Sequence, residues 1–375
     1  MIQVTEEQVR DILPMDECVR IMRQTFTALR KGTASNQPRR RIYLDNGSTL
    51  HSMGGVYGKY FGTKFYSSNP KYGANFFFFL FDSETARPLA QFEANYLGQI
   101  RTGAASGYAT DLLAAPDATT LAVIGSGFQA GSQIEAIRCV RDLKDIRVWS
   151  RNKEKRGAFA AANQCRAVDS AEEAVRGADI VVTSTPSRDP VIDDSWITRG
   201  DRGVHINAMG SNREQRRELP SRLIHRADLV AVDSVEVAKI EAGDLILAPV
   251  DWNDRRIVDL AKIEQRPDEQ LDDLLQVFCS GEALTVGWQF RCLTPIANGV
   301  WELKTADLRV FGWFHQKDCF IGVVADTADR IKQYKLYAPY SRVEVARFRD
   351  ALDLDQPKFV HGDNPHDVVS NYAYP

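Results

Sequence analysis

Long apolar stretches, clustered metal ligands and an excess of one charge are all missing from this 375-residue chain. Its longest purely apolar run, Phe76–Phe81, has six residues, where a membrane-spanning helix needs about 20. The N-terminus carries Gln3, Glu6 and Glu7 instead of a basic and then apolar leader. Neither a spanning helix nor a secretory peptide is therefore expected. The six cysteines (Cys18, Cys139, Cys165, Cys279, Cys292, Cys319) form no Cys-x-x-Cys pair, and the six histidines do not cluster. That pattern argues against a metal site and for reduced thiols in a cytoplasmic setting. A net charge of -3 gives no electrostatic reason to expect nucleic acid or an anionic membrane as partner.

What is present is an ordinary globular composition, 44% hydrophobic and 26% charged, in a chain long enough for two domains. The chain is organised around Leu121–Ala130. An apolar run ends at Gly125-Ser126-Gly127 and passes through Phe128, Gln129 and Ala130 into a helix-compatible segment. Strand, tight turn and helix start are the context in which glycines cradle a pyrophosphate, because the helix N-terminus offers unpaired N–H groups and the positive end of a dipole. Gly125 would make the turn and Gly127 would admit the phosphates. Ala130 takes the third glycine's place, where a methyl group still allows close packing.

A second strand, Ile146–Trp149, ends in Ser150 and Arg151, where the ribose-reading residue of such a fold belongs. A hydroxyl followed by Arg151, with Lys153, Lys155 and Arg156 nearby, suits a 2′-phosphate better than a free ribose. NADP(H) is thus favoured over NAD(H); the alternative is a merely solvated basic loop.

Ahead of this region the periodicity predicts two short helices between Thr5 and Lys31, broken at Pro14. Pro38–Leu44 turns extended, so that Arg39 and Arg41 share a face. Strands follow around Leu50–Met53, which includes His51, and Gly62–Tyr66, where Lys64 is costly to bury unless it faces a cavity or an anion. Phe76–Phe81 reads as a strand covered on both faces. Gly98–Leu113 is a helix of small residues, which implies close approach of another backbone or a ligand. Beyond Pro116, strands at 179–185, 204–210 and 229–233 alternate with helices. They predict a parallel sheet with helices on both faces, whose strand ends place Thr183, Ser184, Thr185, Asn207, Ala208 and Met209 where a cofactor lies. After Asp251 the pattern offers a helix at 271–278, a strand at 310–314, a helix at 322–337 and a loop-like or mobile tail from 356.

Three blocks, Arg101–Ser106, Gly125–Ala130 and Asn207–Gly210, together with Asp233-Ser234 and Glu241–Asp244, resemble the ornithine cyclodeaminase and mu-crystallin superfamily, which includes archaeal-type alanine dehydrogenases and ketimine reductases. The resemblance runs from about Glu6 to Asp251, and the chain departs from it between Val277 and Asp318. It implies an α/β fold: a doubly wound Rossmann sheet at 116–317, inserted into an α+β domain that binds substrate and forms a homodimer. That second domain would comprise 1–115 and 318–350, leaving 351–375 as a tail.

The family's substrate-carboxylate cations fall on Arg41, Lys64 and Arg101, as the charge of an amino or imino acid requires. A surface arginine, a snorkelling lysine and a helix-end salt bridge are the respective alternatives. His51 occupies a substrate-contact position that varies in the family, either as a proton source or as a packed core histidine. Asn212, in Gly210-Ser211-Asn212, stands where cyclodeaminases have an Asp; an amide cannot carry a proton at useful pH. The expected activity is therefore NADP(H)-dependent hydride transfer at the α-carbon of an amino, imino or keto acid. Lys64 or His51 would supply the proton. The alternatives are a cyclodeaminase-type lyase with bound NAD and a non-catalytic binding protein.

Overall fold

The helical periodicity of the N-terminus breaks at Pro14, which cannot donate to a helix interior, and the chain forms Glu6–Ile12, capped by Thr5, and then Met15–Lys31. The second of these is a full 17-residue helix instead of a short one, closed by Gly32 in the left-handed conformation. The computed structural model describes residues 1–198, 200, 202–210, 212–263 and 267–374. These divide into two compact units, 1–263 and 264–375.

In the first unit a seven-stranded sheet runs in the order Ile2–Val4, Pro88–Glu93, Gly73–Asp82, Tyr60–Asn69, Thr49–Tyr57 and Ala34–Asn36, with Arg40–Tyr43 also paired to Thr49–Tyr57. Its register aligns Arg41 with His51, His51 with Tyr66 and Tyr66 with Phe76, a single row across four strands. Strand alternation puts Lys64 and Ser68 on the same face as that row. The run Phe76–Phe81 is not covered on both faces: every one of these residues keeps some exposure and Phe77 is exposed, because an antiparallel meander buries only one of its sides.

The dinucleotide-type sheet is fully parallel, in the order Arg166–Ala167, Asp145–Trp149, Thr120–Ile124, Ile180–Thr183 and His205–Ala208. Successive residues of its central strand alternate between two cores: Ala122 and Ile124 belong to one, Leu121 and Val123 to the other. The expected strand near 229–233 forms, as Val230–Val232, but pairs with Ile257–Asp259 in a separate two-stranded ribbon.

The helix Asn95–Leu113 joins the two sheets in sequence and packs on Phe128–Arg138. Its small residues make that approach possible. A β-carbon at Gly103 would lie 2.5 Å from the Ser132 carbonyl oxygen, and one at Gly107 would lie 3.1 Å from Ala136.

The second unit departs from expectation. Residues 322–337 are not one helix: Cys319–Thr327 is a strand, antiparallel to Leu308–Gln316, followed by the helix Ala328–Tyr334 and, after Lys335-Leu336, a separate short helix Tyr337–Pro339. The β-branched Ile321, Val323 and Val324 favour the pleated surface, and Lys317-Asp318, with Asp318 at a φ of 61°, supplies a two-residue hairpin turn. Together with Phe290–Cys292 and Trp301–Lys304 these strands make a four-stranded sheet over an aromatic core of Phe290, Trp301 and Phe314. The expected return of 318–350 into the first domain, and the assignment of 264–317 to the Rossmann domain, thus give way to one compact unit spanning 264–375. Its end is not a loose tail. Tyr372–Ala373 pairs with Leu284–Thr285, and Val368 and Val369 are core residues.

Candidate functional site

The central strand Thr120–Ile124 has Asp145–Trp149 on one side and Ile180–Thr183 on the other, so the chain reverses direction across the sheet at this point and opens a crevice at the strand ends. Gly125 follows at a φ of 117°, and its N–H donates to the Trp149 carbonyl at 2.8 Å. A side chain there would collide with the Ser184 carbonyl, so both the conformation and the space demand glycine. A β-carbon at Gly127 would instead stand in open space. Gly127 is the N-cap of the 11-residue helix Phe128–Arg138 and caps it with no side chain. The first N–H groups of that helix are thereby left for an anion, so the turn fits a dinucleotide's diphosphate. Ala130 is completely buried against the sheet.

Other expected cofactor contacts divide. Ser126 Oγ bonds Ser150 Oγ at 2.9 Å, tying the turn to the end of the second strand. Arg156 is buried, donating to the Ser150 carbonyl at 2.9 Å and to Asp169 at 3.3 Å, so it braces the loop. Arg151 and Lys155 remain exposed beside it. Thr183 and Thr185 turn their hydroxyls to a carboxylate. Thr183 is wholly buried, its hydroxyl donating to Glu218 at 3.1 Å, while the Thr185 hydroxyl and N–H both donate to Glu218 at 2.6 Å. The Asn207 amide is likewise spent on Thr110 Oγ1 at 2.9 Å. Ser184, Ala208 and Met209 keep some exposure at the strand ends.

Glu218 had no local sequence signal, and it is the hub of this end of the sheet. It also accepts from the Gly210 N–H at 2.6 Å. Burial pushes its carboxyl up to about 6, against the pull of its four hydrogen bonds.

The substrate-side residues converge. Arg41, His51, Lys64, Arg101 and Asn212 line one cavity of about 330 Å³ together with Phe128 and Gln129, the first residues after the glycine turn. Ser211 lies outside the described residues. A solvent-open depression along Arg138–Leu143 carries none of these groups. Arg39, Tyr66, Ser68, Phe76, Arg213 and Arg216 also line the cavity. Extending the period-2 pattern from Arg41 back to Arg39, and from Lys64 on to Tyr66 and Ser68, would have found three of these six.

Lys64 Nζ stands 4.8 Å from the centroid of the Phe76 ring, and burial, with Arg101 and Arg39 nearby, brings its pKa down to about 7. Arg101 presents exposed surface to the cavity, yet the surrounding wall is deep enough that burial, and then Arg39, hold its pKa below the usual arginine value. Arg41 donates to the Asn212 carbonyl at 3.1 Å and pairs with Glu241 at 2.9 Å; Arg39 reaches the same carboxylate at 3.5 Å. His51 stacks on Tyr66 at 4.0 Å and shares a 2.9 Å hydrogen bond with Ser68. Burial, then Arg41, Arg39 and Arg213, lower its pKa to about 4. The ring is therefore neutral at pH 7.

Residues 1–282 match the model of the ornithine cyclodeaminase/mu-crystallin family. A Δ1-pyrroline-2-carboxylate reductase of Bacillus cereus is 44% identical over 172 residues, 44% of this chain and 52% of that one. The chain thus spans about half the length of the curated relatives it matches first. An alanine dehydrogenase of Archaeoglobus fulgidus is 32% identical over 255 residues, 65% of this chain and 77% of that one. Among solved structures, the Thermococcus litoralis Δ1-pyrroline-2-carboxylate reductase in complex with NADH and L-proline superposes with a TM-score of 0.65 at 28% identity, covering 70% of this chain and 86% of that one.

Proposed function

The chain belongs to the ornithine cyclodeaminase/mu-crystallin family, and from that premise we propose that it is an NAD(P)(H)-dependent oxidoreductase acting at the α-carbon of an imino or amino acid. The observation that carries this reading is one cavity lined both by Lys64 and Arg101 and by Phe128 and Gln129 at the mouth of the glycine turn. The relatives named as pyrroline-carboxylate reductase and alanine dehydrogenase support it.

Gly125, Ser126, Gly127 and the first turn of the helix Phe128–Arg138 would hold the diphosphate, and Ser150 the ribose. When bound, the nicotinamide supplies the hydride that turns C=N into CH–NH, with one proton added at nitrogen. Lys64 Nζ gives that proton: with a pKa of about 7 it is substantially protonated at neutral pH and readily regains what it loses. Arg101, Arg39 and Arg41 orient the carboxylate, which supplies much of the rate. The Tyr66 and Phe76 rings, stacked at 4.5 Å, wall the reacting end from water.

The exposed cations Arg151 and Lys155 beside Ser150 support NADP(H) as the preferred form. Asn212, unable to carry a proton, counts against cyclodeamination. The exposed apolar residues Tyr57, Tyr60, Phe65 and Phe77 on the seven-stranded sheet support a homodimer. The test is a spectrophotometric screen of NADPH and NADH oxidation with 2-oxo acids plus ammonia or amines, and with cyclic ketimines. Coenzyme oxidation that depends on the imine is the expected result; none across the panel would remove the proposal.

A further inference from the structure

Two of the sequence blocks, Asp233-Ser234 and Glu241–Asp244, take no part in the proposed chemistry, and none of their residues lines the cavity. The first starts a helix and the second ends it. Ser234 caps the helix Val235–Glu241, its hydroxyl accepting from the Val237 N–H at 3.4 Å, and Asp259 accepts from the Val235 N–H at 2.6 Å. With its start fixed in this way, the helix delivers its last residue, Glu241, to one place.

That place is beside two of the cavity's arginines. Glu241 is buried, at 6% exposure; Oε1 pairs with Arg41 Nη2 at 2.9 Å and Oε2 with Arg39 Nη1 at 3.5 Å. A buried carboxylate is costly unless paired, and here each oxygen has its own guanidinium. The Asn212 carbonyl accepts from the same Arg41 Nη2 at 3.1 Å. Two fixed acceptors on one nitrogen set the direction of the guanidinium plane, and the rigid five-donor fork still offers its other nitrogens to a carboxylate in the cavity.

Three residues on, Asp244 is committed elsewhere. It is also buried, and its Oδ1 accepts from the Glu218 N–H at 2.7 Å and the Leu219 N–H at 2.8 Å. Glu218 in turn holds Thr183, Thr185 and Gly210 at the ends of the parallel strands. Between the two acids Gly243 leaves no room for a side chain: a β-carbon there would collide with the Arg216 carbonyl, so the block lies directly on that backbone.

Resting on the function proposed above, we infer that Glu241 and Asp244 are positioning residues with separate tasks. Glu241 aims Arg41 and Arg39 at the substrate's carboxylate, and Asp244, through Glu218, sets the strand ends on which the coenzyme lies. One short block thus serves both ligands without touching either.

The experiment reads the two ligands separately. Glu241→Gln keeps the shape and removes the charge; it is expected to raise KM for a cyclic ketimine about tenfold, the worth of one charge-assisted hydrogen bond, with kcat falling less. Its NADPH dissociation constant should stay within about twofold of the parent's. Glu241→Asp keeps the charge, withdraws it by one methylene, and should show the same split on a smaller scale, which guards against a loss of folding in the first variant. Asp244→Ala should do the reverse, raising the NADPH dissociation constant about tenfold and moving ketimine KM at saturating coenzyme by no more than about twofold. Asp244→Asn retains an accepting oxygen and should recover most of that loss. Because Glu241 acts through its arginines, Glu241→Gln should have a smaller effect in an Arg41→Gln background. Equal changes in both constants for either acid, or full additivity with Arg41→Gln, would overturn the inference while leaving the oxidoreductase reading intact. Fluorescence titration of NADPH and thermal-shift titration of L-proline read both sites without turnover. The split therefore decides the inference even if no ketimine is reduced, a result that would instead remove the oxidoreductase reading. Should L-proline also fail to stabilise the parent, both fall.

Discussion

Replacing Lys64 by methionine separates two effects of the same buried charge. The lysine's pKa falls from 10.5 to about 7 in the folded protein, a shift worth at most about 5 kcal/mol at 1.36 kcal/mol per unit. Cavity water screens part of this, leaving roughly 1–3 kcal/mol. The sign follows from proton counting: between pH 7 and 10.5 the unfolded chain holds a proton that the folded one has released, so stability rises with pH across that window. Below pH 7 the penalty is present in full. Lys64→Met, nearly isosteric and lying against Phe76 and Tyr66, should therefore be more stable than the parent by roughly 1–3 kcal/mol at pH 6.5. The gain should shrink towards pH 10. Urea denaturation at both pH values measures it. Turnover should meanwhile fall by about 10²-fold or more, the usual worth of a general acid. In the unsubstituted protein, reductive kcat/KM should decline as pH rises through about 7. A variant less stable than the parent at pH 6.5, or one that retains turnover, would refute the reasoning.

Three further outcomes follow from other parts of the first unit. Arg151→Ala should reduce kcat/KM with NADPH by about 10–100-fold, and far less with NADH; equal losses with both coenzymes would remove Arg151 from coenzyme discrimination. Glu218→Gln leaves one acceptor oxygen where two now take Thr183, Thr185 and Gly210, so stability should drop by roughly 2–4 kcal/mol, with weaker coenzyme binding by fluorescence titration. The parent's own Glu218, its pKa raised from 4.5 to about 6, adds stability that is complete below pH 4.5 and lost as pH rises through 6; in the variant that part of the pH dependence should vanish. Gly103→Ala should destabilise by about 1–3 kcal/mol in thermal or urea unfolding, because the added methyl meets the Ser132 backbone at 2.5 Å; an unchanged midpoint would mean that the helices part without cost.

Features that depend on neighbours in the chain were legible beforehand. The glycine turn announced itself because an apolar strand, a left-handed glycine and a helix start are adjacent in sequence. The common face of Arg39 and Arg41 follows from strand alternation alone, and the run of small residues from Gly98 to Ala109 signalled the helix contact later found at Ser132 and Ala136. Where local pattern was ambiguous it misled: Cys319–Thr327, with β-branched Ile321, Val323, Val324 and Thr327, takes its strand form from pairing with Leu308–Gln316.

What only the tertiary structure decided is how side chains distant in sequence are spent. Thr183, Thr185 and Asn207 sit at strand ends as expected, but buried partners, Glu218 and Thr110, claim their polar groups. Lys64 and His51 look alike as polar interruptions of apolar strands. The pKa of one falls to about 7 and that of the other, stacked on Tyr66, to about 4, because burial and the arginines around each set the pKa, and those surroundings come from strands, helices and loops brought together only by folding. Sequence determined which residues could hold an anion or a phosphate; the packing of the two sheets against the Asn95–Leu113 helix decided that they face a common cavity.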